Sequence, residues 1–202
     1  DDGISPSRLP SPSHLVRRDP GSSPTSRITG AAPIVVTATM GAADQRFFDG
    51  FRRQYYSRLR HPVPAHITLF HQLPPTACGE LQWLIRRIMA DAPPPVAWVR
   101  GPYSLGGGVA FRIESPALLE IRARMADALH GLLVARDRGV PRLHITIQNK
   151  AAPDDARALL TRLMADFRPR QVTILGLAAH FYRGGPWEPA FAHNFRVSRT
   201  LY

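Results

Sequence analysis

The chain has 202 residues, with 26 Lys and Arg against 15 Asp and Glu and an apolar content of 44%. That length can bury a core without metal or disulfide staples, and no apolar run approaches the ~20 residues of a spanning helix, so a membrane protein is excluded as a reading. A single cysteine, Cys78, leaves no intramolecular disulfide framework and no multi-thiolate metal centre, and points to a reducing, cytoplasmic setting. The net charge of +11 invites a polyanionic partner, but 25 of the 26 cations are Arg and only Lys150 is Lys. Nucleotide composition alone can produce such a skew, so charge does not by itself decide for a phosphate-bearing substrate.

Residues 1–31 are rich in Ser and Pro, show no apolar periodicity and open on DDGISPSRLP, which reads as neither a signal peptide nor an anchor. They are expected to form a disordered tail whose Arg8, Arg17, Arg18 and Arg27 could at most tether RNA weakly. From Ala32 onward the pattern is that of a folded domain. PIVVTATM (33–40) predicts a strand, and residues 43–60 predict a helix with Phe47, Phe48, Phe51, Tyr55 and Leu59 on one face. AHITLF (65–70) alternates as a half-buried strand, residues 79–90 form a helix ended by Pro93–Pro95, and residues 96–105 return to extended chain.

The same order then recurs: strand 108–115, helix 116–135, strand 143–149, helix 153–167 and strand 171–182, with equivalent elements roughly 30 residues apart in both halves. The expected fold class is therefore α+β, with two pseudo-symmetric lobes of roughly 32–107 and 108–202. Each is an antiparallel-type sheet with outer helices, exchange of strands between them is left open, and they face each other across a central cleft. GGG at 106–108 lacks the rest of a phosphate-cradling loop and is expected to be a strand turn.

The middle strand of each half carries the same tetrapeptide pattern, His66-Ile67-Thr68-Leu69 and His144-Ile145-Thr146-Ile147. With a strand period of two, each His and Thr share one face about 6 to 7 Å apart, while the aliphatic residues face the core. Lobes facing each other would then gather two imidazoles and two hydroxyls. In-line displacement at a phosphodiester needs one group to take a proton from the attacking oxygen and another to protonate the leaving oxygen, and two histidines can do both near neutral pH. The threonine hydroxyls can donate to the non-bridging oxygens. The scheme calls for no metal and no cofactor, and no HExxH, CxxC or carboxylate cluster is present.

On these residues the sequence resembles the two-histidine phosphoesterases, in particular their 2'-5' RNA ligase-like branch, over roughly residues 32–202. The resemblance implies hydrolysis of cyclic phosphodiesters such as 2',3'-cyclic phosphate ends, with His66, Thr68, His144 and Thr146 matching its paired motifs. Partners would be RNA ends or cyclic nucleotides, and the chain would act as a monomer. The alternatives are a reversible 2'-5' RNA ligase and an RNA-binding module without turnover.

Further substrate-binding candidates are Tyr103, Arg112, Lys150 and Tyr182, since nucleotides call for a stacking ring and for cations. Trp187, in the turn-rich segment 181–189, is expected at the lobe junction rather than against a base. His14, His61 and His71 are expected in solvent-facing chain, His130 in a helix, and His180 and His193 on or near late strands. Of these, His71 is kept as a minor candidate for substrate contact.

Overall fold

A computed structural model describes residues 32–57 and 63–196. The expected tail over residues 1–31, and Leu59 and His61, lie outside the described residues. The elements in chain order are β1 (Ile34–Met40), α1 (Ala42–Tyr55), β2 (Ile67–Leu73), α2 (Cys78–Asp91), β3 (Val96–Ser104), β4 (Gly108–Glu114), α3 (Pro116–Ala128), β5 (His144–Asn149), α4 (Pro153–Asp166), β6 (Arg170–Phe181) and β7 (Glu188–Asn194).

Local chemistry explains most of these boundaries. α3 starts where the Ser115 side chain accepts from the Leu118 amide at 3.2 Å and Pro116 occupies the first turn. It ends at Ala128, short of the expected 135, because a 3₁₀ turn at His130–Leu132 takes over around Gly131, a poor helix former. His130 therefore sits in that turn and not in the helix. β2 runs three residues past its expected end, to Leu73, so His71 is a strand residue and not part of a loop. The glycines at 106–108 make the β3–β4 turn, where Gly106 takes a left-handed φ of 86°.

All strand pairings are antiparallel, in the order β2-β1-β6-β3-β4-β5, with β7 on β6. Mapping β1, β2 and β3 of the first half onto β4, β5 and β6 of the second turns this order into itself. Each half thus gives its third strand to the other half's sheet: β6 pairs with β1, and β3 pairs with β4. β6 is shared, with Arg170–Thr173 on β3 and the remainder on β1 and β7. The result is two lobes related by pseudo-symmetry.

α1 packs on β5, α4 on β3 and β4, and α2 on β7. One core cluster runs through both lobes and includes Phe48, Phe70, Phe111, Leu118 and Leu177. β2 and β5 stand at opposite ends of the strand order and nevertheless touch. The sheet therefore curls round, and its two end strands border a common space. Among the described residues no helix is long and apolar enough to cross a membrane.

Candidate active site

Ile67, Leu69, Ile145 and Ile147 are completely buried, each contributing about 1.5–3 kcal/mol of hydrophobic stabilisation. Their alternation with half-buried His66, Thr68, His144 and Thr146 turns all four polar side chains away from the core. These four line one cavity of about 710 Å³, together with Arg52, Tyr56, His71, Arg136, Lys150, Tyr182 and Trp187, among others. The Nδ1 of His66 lies 2.7 Å from the Pro64 carbonyl oxygen, and the Nδ1 of His144 lies 2.7 Å from that of Arg142. A carbonyl can only accept, so each Nδ1 carries the proton and donates. Nε2 is left as the reactive nitrogen of each ring.

The surroundings of the two rings differ. The indole of Trp187 lies 4.5 Å from the His66 ring and 5.3 Å from that of His180. Burial pushes His66 down to about 4; the bond to Pro64 opposes this, and positive charge on Arg52, His180 or His144 adds to it. Burial also lowers His180. Arg52, only 6% exposed on α1, donates from Nη1 to the Thr146 carbonyl at 2.6 Å and stacks over Tyr56 at 4.1 Å. Its Nε has no hydrogen-bond partner among the described residues. Burial lowers the guanidinium from its ordinary value, and nearby Tyr56 and Asp49 oppose that.

His71 reaches the same cavity through a bulge. Thr37 pairs with Thr68 and Val36 with Phe70, so one step on β1 spans two residues on β2. The extra residue reverses the alternation: Leu69 and Phe70 are both buried, and His71 turns to the face of His66 and Thr68. Its Nδ1 lies 2.9 Å from the carboxylate of Asp137, which also accepts from the His71 and Gln72 amides. Burial alone would raise the Asp137 carboxyl, but the hydrogen bonds from the His71 ring and the two amides outweigh it and hold the group below its ordinary range.

A family model described as the 2'-5' RNA ligase superfamily matches residues 41–185, most of the chain and both motif strands. The chain belongs to the 2'-5' RNA ligase superfamily. It is thereby a two-histidine, phosphoesterase- or ligase-like enzyme. No curated protein matches its sequence. Among solved structures it is similar to TT0787 of Thermus thermophilus, at 16% identity over 83% of this chain and all of that one, with a TM-score of 0.54; this likeness shows a shared fold. It is also similar to E. coli LigT complexed with 3'-AMP, at 10% identity over 82% of this chain and 99% of that one, with a TM-score of 0.49.

Of the candidates that the sequence suggests in this 2'-5' RNA ligase superfamily member, His66, Thr68, His144, Thr146, Lys150 and Tyr182 line the cavity. Lys150 holds a φ of 54°, an unusual backbone for a non-glycine residue. Tyr103 and Arg112 do not line it. The Tyr103 ring stands edge-on to His144 at 6.2 Å, under Arg142. Arg112 pairs opposite His144 on β4 but borders a separate depression with Glu114, Pro116 and Arg142. Trp187, expected at the lobe junction, forms a wall of the cavity that the motif strands of both lobes line.

Arg52 and Arg136 are charged cavity residues that sequence reasoning passes over, and His71, kept only as a minor candidate, proves to line the cavity. Arg52 hides within the apolar rhythm of a helix, and Arg136 lies just past the expected helix end at 135, in a 3₁₀ turn at Ala135–Asp137. The doublet Leu69-Phe70, which breaks the alternation of β2, is the signal that could have found His71. Among the described residues no group of three or more His, Cys, Asp or Glu side chains is arranged to hold a metal ion.

Proposed function

We propose that this enzyme hydrolyses cyclic phosphodiesters, either 2',3'-cyclic phosphate ends of RNA or cyclic nucleotides, through the two histidines and without a metal ion. The observation that carries the reading is the shared Nδ1 bond, which leaves one Nε2 on each motif strand for a substrate in the cavity. His66, held neutral by its burial, accepts a proton from a water molecule as that oxygen bonds to phosphorus. The bond from phosphorus to one ribose oxygen breaks, and His144, entering the step as the imidazolium with a second proton on Nε2, donates that proton to the leaving oxygen. A phosphomonoester beside a free hydroxyl results, and solvent exchange resets both rings.

Thr68 and Thr146 donate to the non-bridging oxygens and keep attacking and leaving oxygens in line. Arg52 and Lys150 stabilise the charge that gathers on those oxygens, in a cavity whose lining includes no carboxylate among the described residues. Tyr182, 45% exposed at the cavity edge, is available to stack on a base.

Purified protein incubated with 2',3'-cyclic nucleotides, a cyclic-ended RNA and 2'-5' oligonucleotides, with and without EDTA, tests the reading. The expected result is ring opening of at least one cyclic phosphate, undiminished by the chelator. Cleavage of 2'-5' linkages alone would give the site to ligase-type chemistry, and EDTA-sensitive turnover restored by added metal would make the histidines ligands.

A further inference from the structure

The lining of the cavity carries more positive charge than a single cyclic phosphodiester balances. That diester bears one negative charge, whereas Arg52, Arg136 and Lys150 all border the cavity and, among the described residues, no Asp or Glu does. Arg52 and Lys150 come from the elements around the motif strands: Arg52 is bonded to Thr146 itself, and Lys150 follows β5 directly. Arg136 arrives separately, on the 3₁₀ turn at Ala135–Asp137, beside His71 at the far end of β2.

The construction around His71 is specific. Asp137, 1% exposed, is fastened to β2 by the amides of His71 and Gln72 at 2.9 to 3.1 Å, and its main-chain carbonyl is held by the Arg122 guanidinium. Arg122 is itself buried, donates to the Leu69 carbonyl at 3.3 Å and lies over the Phe70 ring at 4.5 Å. One carboxylate thus does two things: it fixes the turn that presents Arg136, and it occupies the Nδ1 of His71, leaving Nε2 as that ring's free nitrogen. Satisfying buried groups of the fold would not require an imidazole half open to the cavity, nor an Arg beside it.

We propose that His71 and Arg136, positioned by Asp137, form a second anion subsite that recognises a phosphate flanking the one at the two motif histidines. The inference rests on the cyclic phosphodiesterase reading and names its substrate class: the cyclic-phosphate end of an oligonucleotide, or a cyclic nucleotide bearing a second phosphate, over a cyclic nucleoside phosphate without one. His71 and Arg136 contact that second phosphate, and Asp137 is a positioning residue.

The test compares kcat/KM for adenosine 2',3'-cyclic phosphate with and without a 5'-phosphate. The wild type is expected to prefer the phosphorylated form by about tenfold or more, and His71→Ala and Arg136→Ala each to remove most of that preference, as loss of a charge-assisted hydrogen bond implies. Asp137→Asn should shrink it too, through both His71 and Arg136, and so should lower it by less when His71 is already Ala. A wild type without preference, or variants that lose rate equally on both compounds, would overturn the subsite.

Calorimetric titration with adenosine 3',5'-bisphosphate and with 3'-AMP, which lacks only the 5'-phosphate, reads the same subsite without turnover. Tighter binding of the bisphosphate, lost in His71→Ala and Arg136→Ala, supports it even if no cyclic phosphate is opened, an outcome that would overturn the proposed reaction alone. Equal binding of the two compounds would overturn the subsite.

Discussion

His66 and His144 are held by the same bond: in each, ring Nδ1 lies 2.7 Å from the carbonyl oxygen two residues earlier, that of Pro64 and that of Arg142. The pseudo-symmetry of the fold therefore reaches down to the orientation of single rings. It stops at their surroundings, since Trp187 covers His66 alone of the two and burial there favours the neutral ring. Symmetric orientation with asymmetric environment suits a reaction in which one ring takes a proton while the other gives one.

The acid limb of the pH profile follows from that asymmetry. A His66 pushed down to about 4 stays neutral, and able to accept a proton, until the pH falls through that value. kcat/KM should therefore decline on the acid side near pH 4 rather than near the 6.5 of an ordinary histidine. Trp187→Ala, which admits water to the ring, should move the limb upward. The limbs belong to the coupled pair, so the shift on substitution is the informative readout. A wild-type limb already near 6.5, or one that Trp187→Ala leaves in place, would remove His66 from the role of base.

Arg52 joins the first half of the chain to the second motif strand by its bond to the Thr146 carbonyl. Arg52→Met should leave that carbonyl unpaired, lowering stability by about 1–3 kcal/mol in urea denaturation, and should also reduce kcat/KM. Arg52→Lys keeps the charge without the planar fork and should recover only part of either loss. Undiminished kcat/KM in Arg52→Met would show that the side chain is purely architectural.

The pairing of β4 with β5 tolerates no side chain at Gly108, where an added Cβ would fall on the Gln148 carbonyl and against Asn149. Gly108→Ala should destabilise by about 1–3 kcal/mol and disturb the strand that carries His144 and Thr146. Gly107→Ala meets only the Lys150 Cα at 4.0 Å and should change stability by less than about 0.5 kcal/mol. Equal denaturation midpoints for the two variants would contradict the close approach.

The two tetrapeptides are legible because period two is the simplest signal a strand emits, and the repeated element order is legible because both halves emit it. Long-range events are not. A single extra residue on β2 carries His71 into the cavity, and its local trace is no more than the apolar doublet Leu69-Phe70. The pairing of β6 with β1 joins residues as distant in the chain as Ile34 and Phe181, beyond the reach of any window-based pattern, although β3 meets β4 in a local hairpin. β7 shows in the sequence only as one arm of a turn-rich hairpin, its run Glu188–Asn194 being half exposed and interrupted by Pro189. Arg52 shows the converse case: a helix position off the apolar face that the sequence marks becomes buried because β5, from the other half, packs on α1.

The most direct measurement is kcat/KM of His66→Ala and of His144→Ala on a 2',3'-cyclic nucleotide that the wild type opens, with circular dichroism to verify the fold. Each substitution should lower the rate by roughly 10² to 10⁴, the contribution of one general acid or base, while the spectrum stays that of the wild type. Full activity in either folded variant would contradict the two-histidine mechanism.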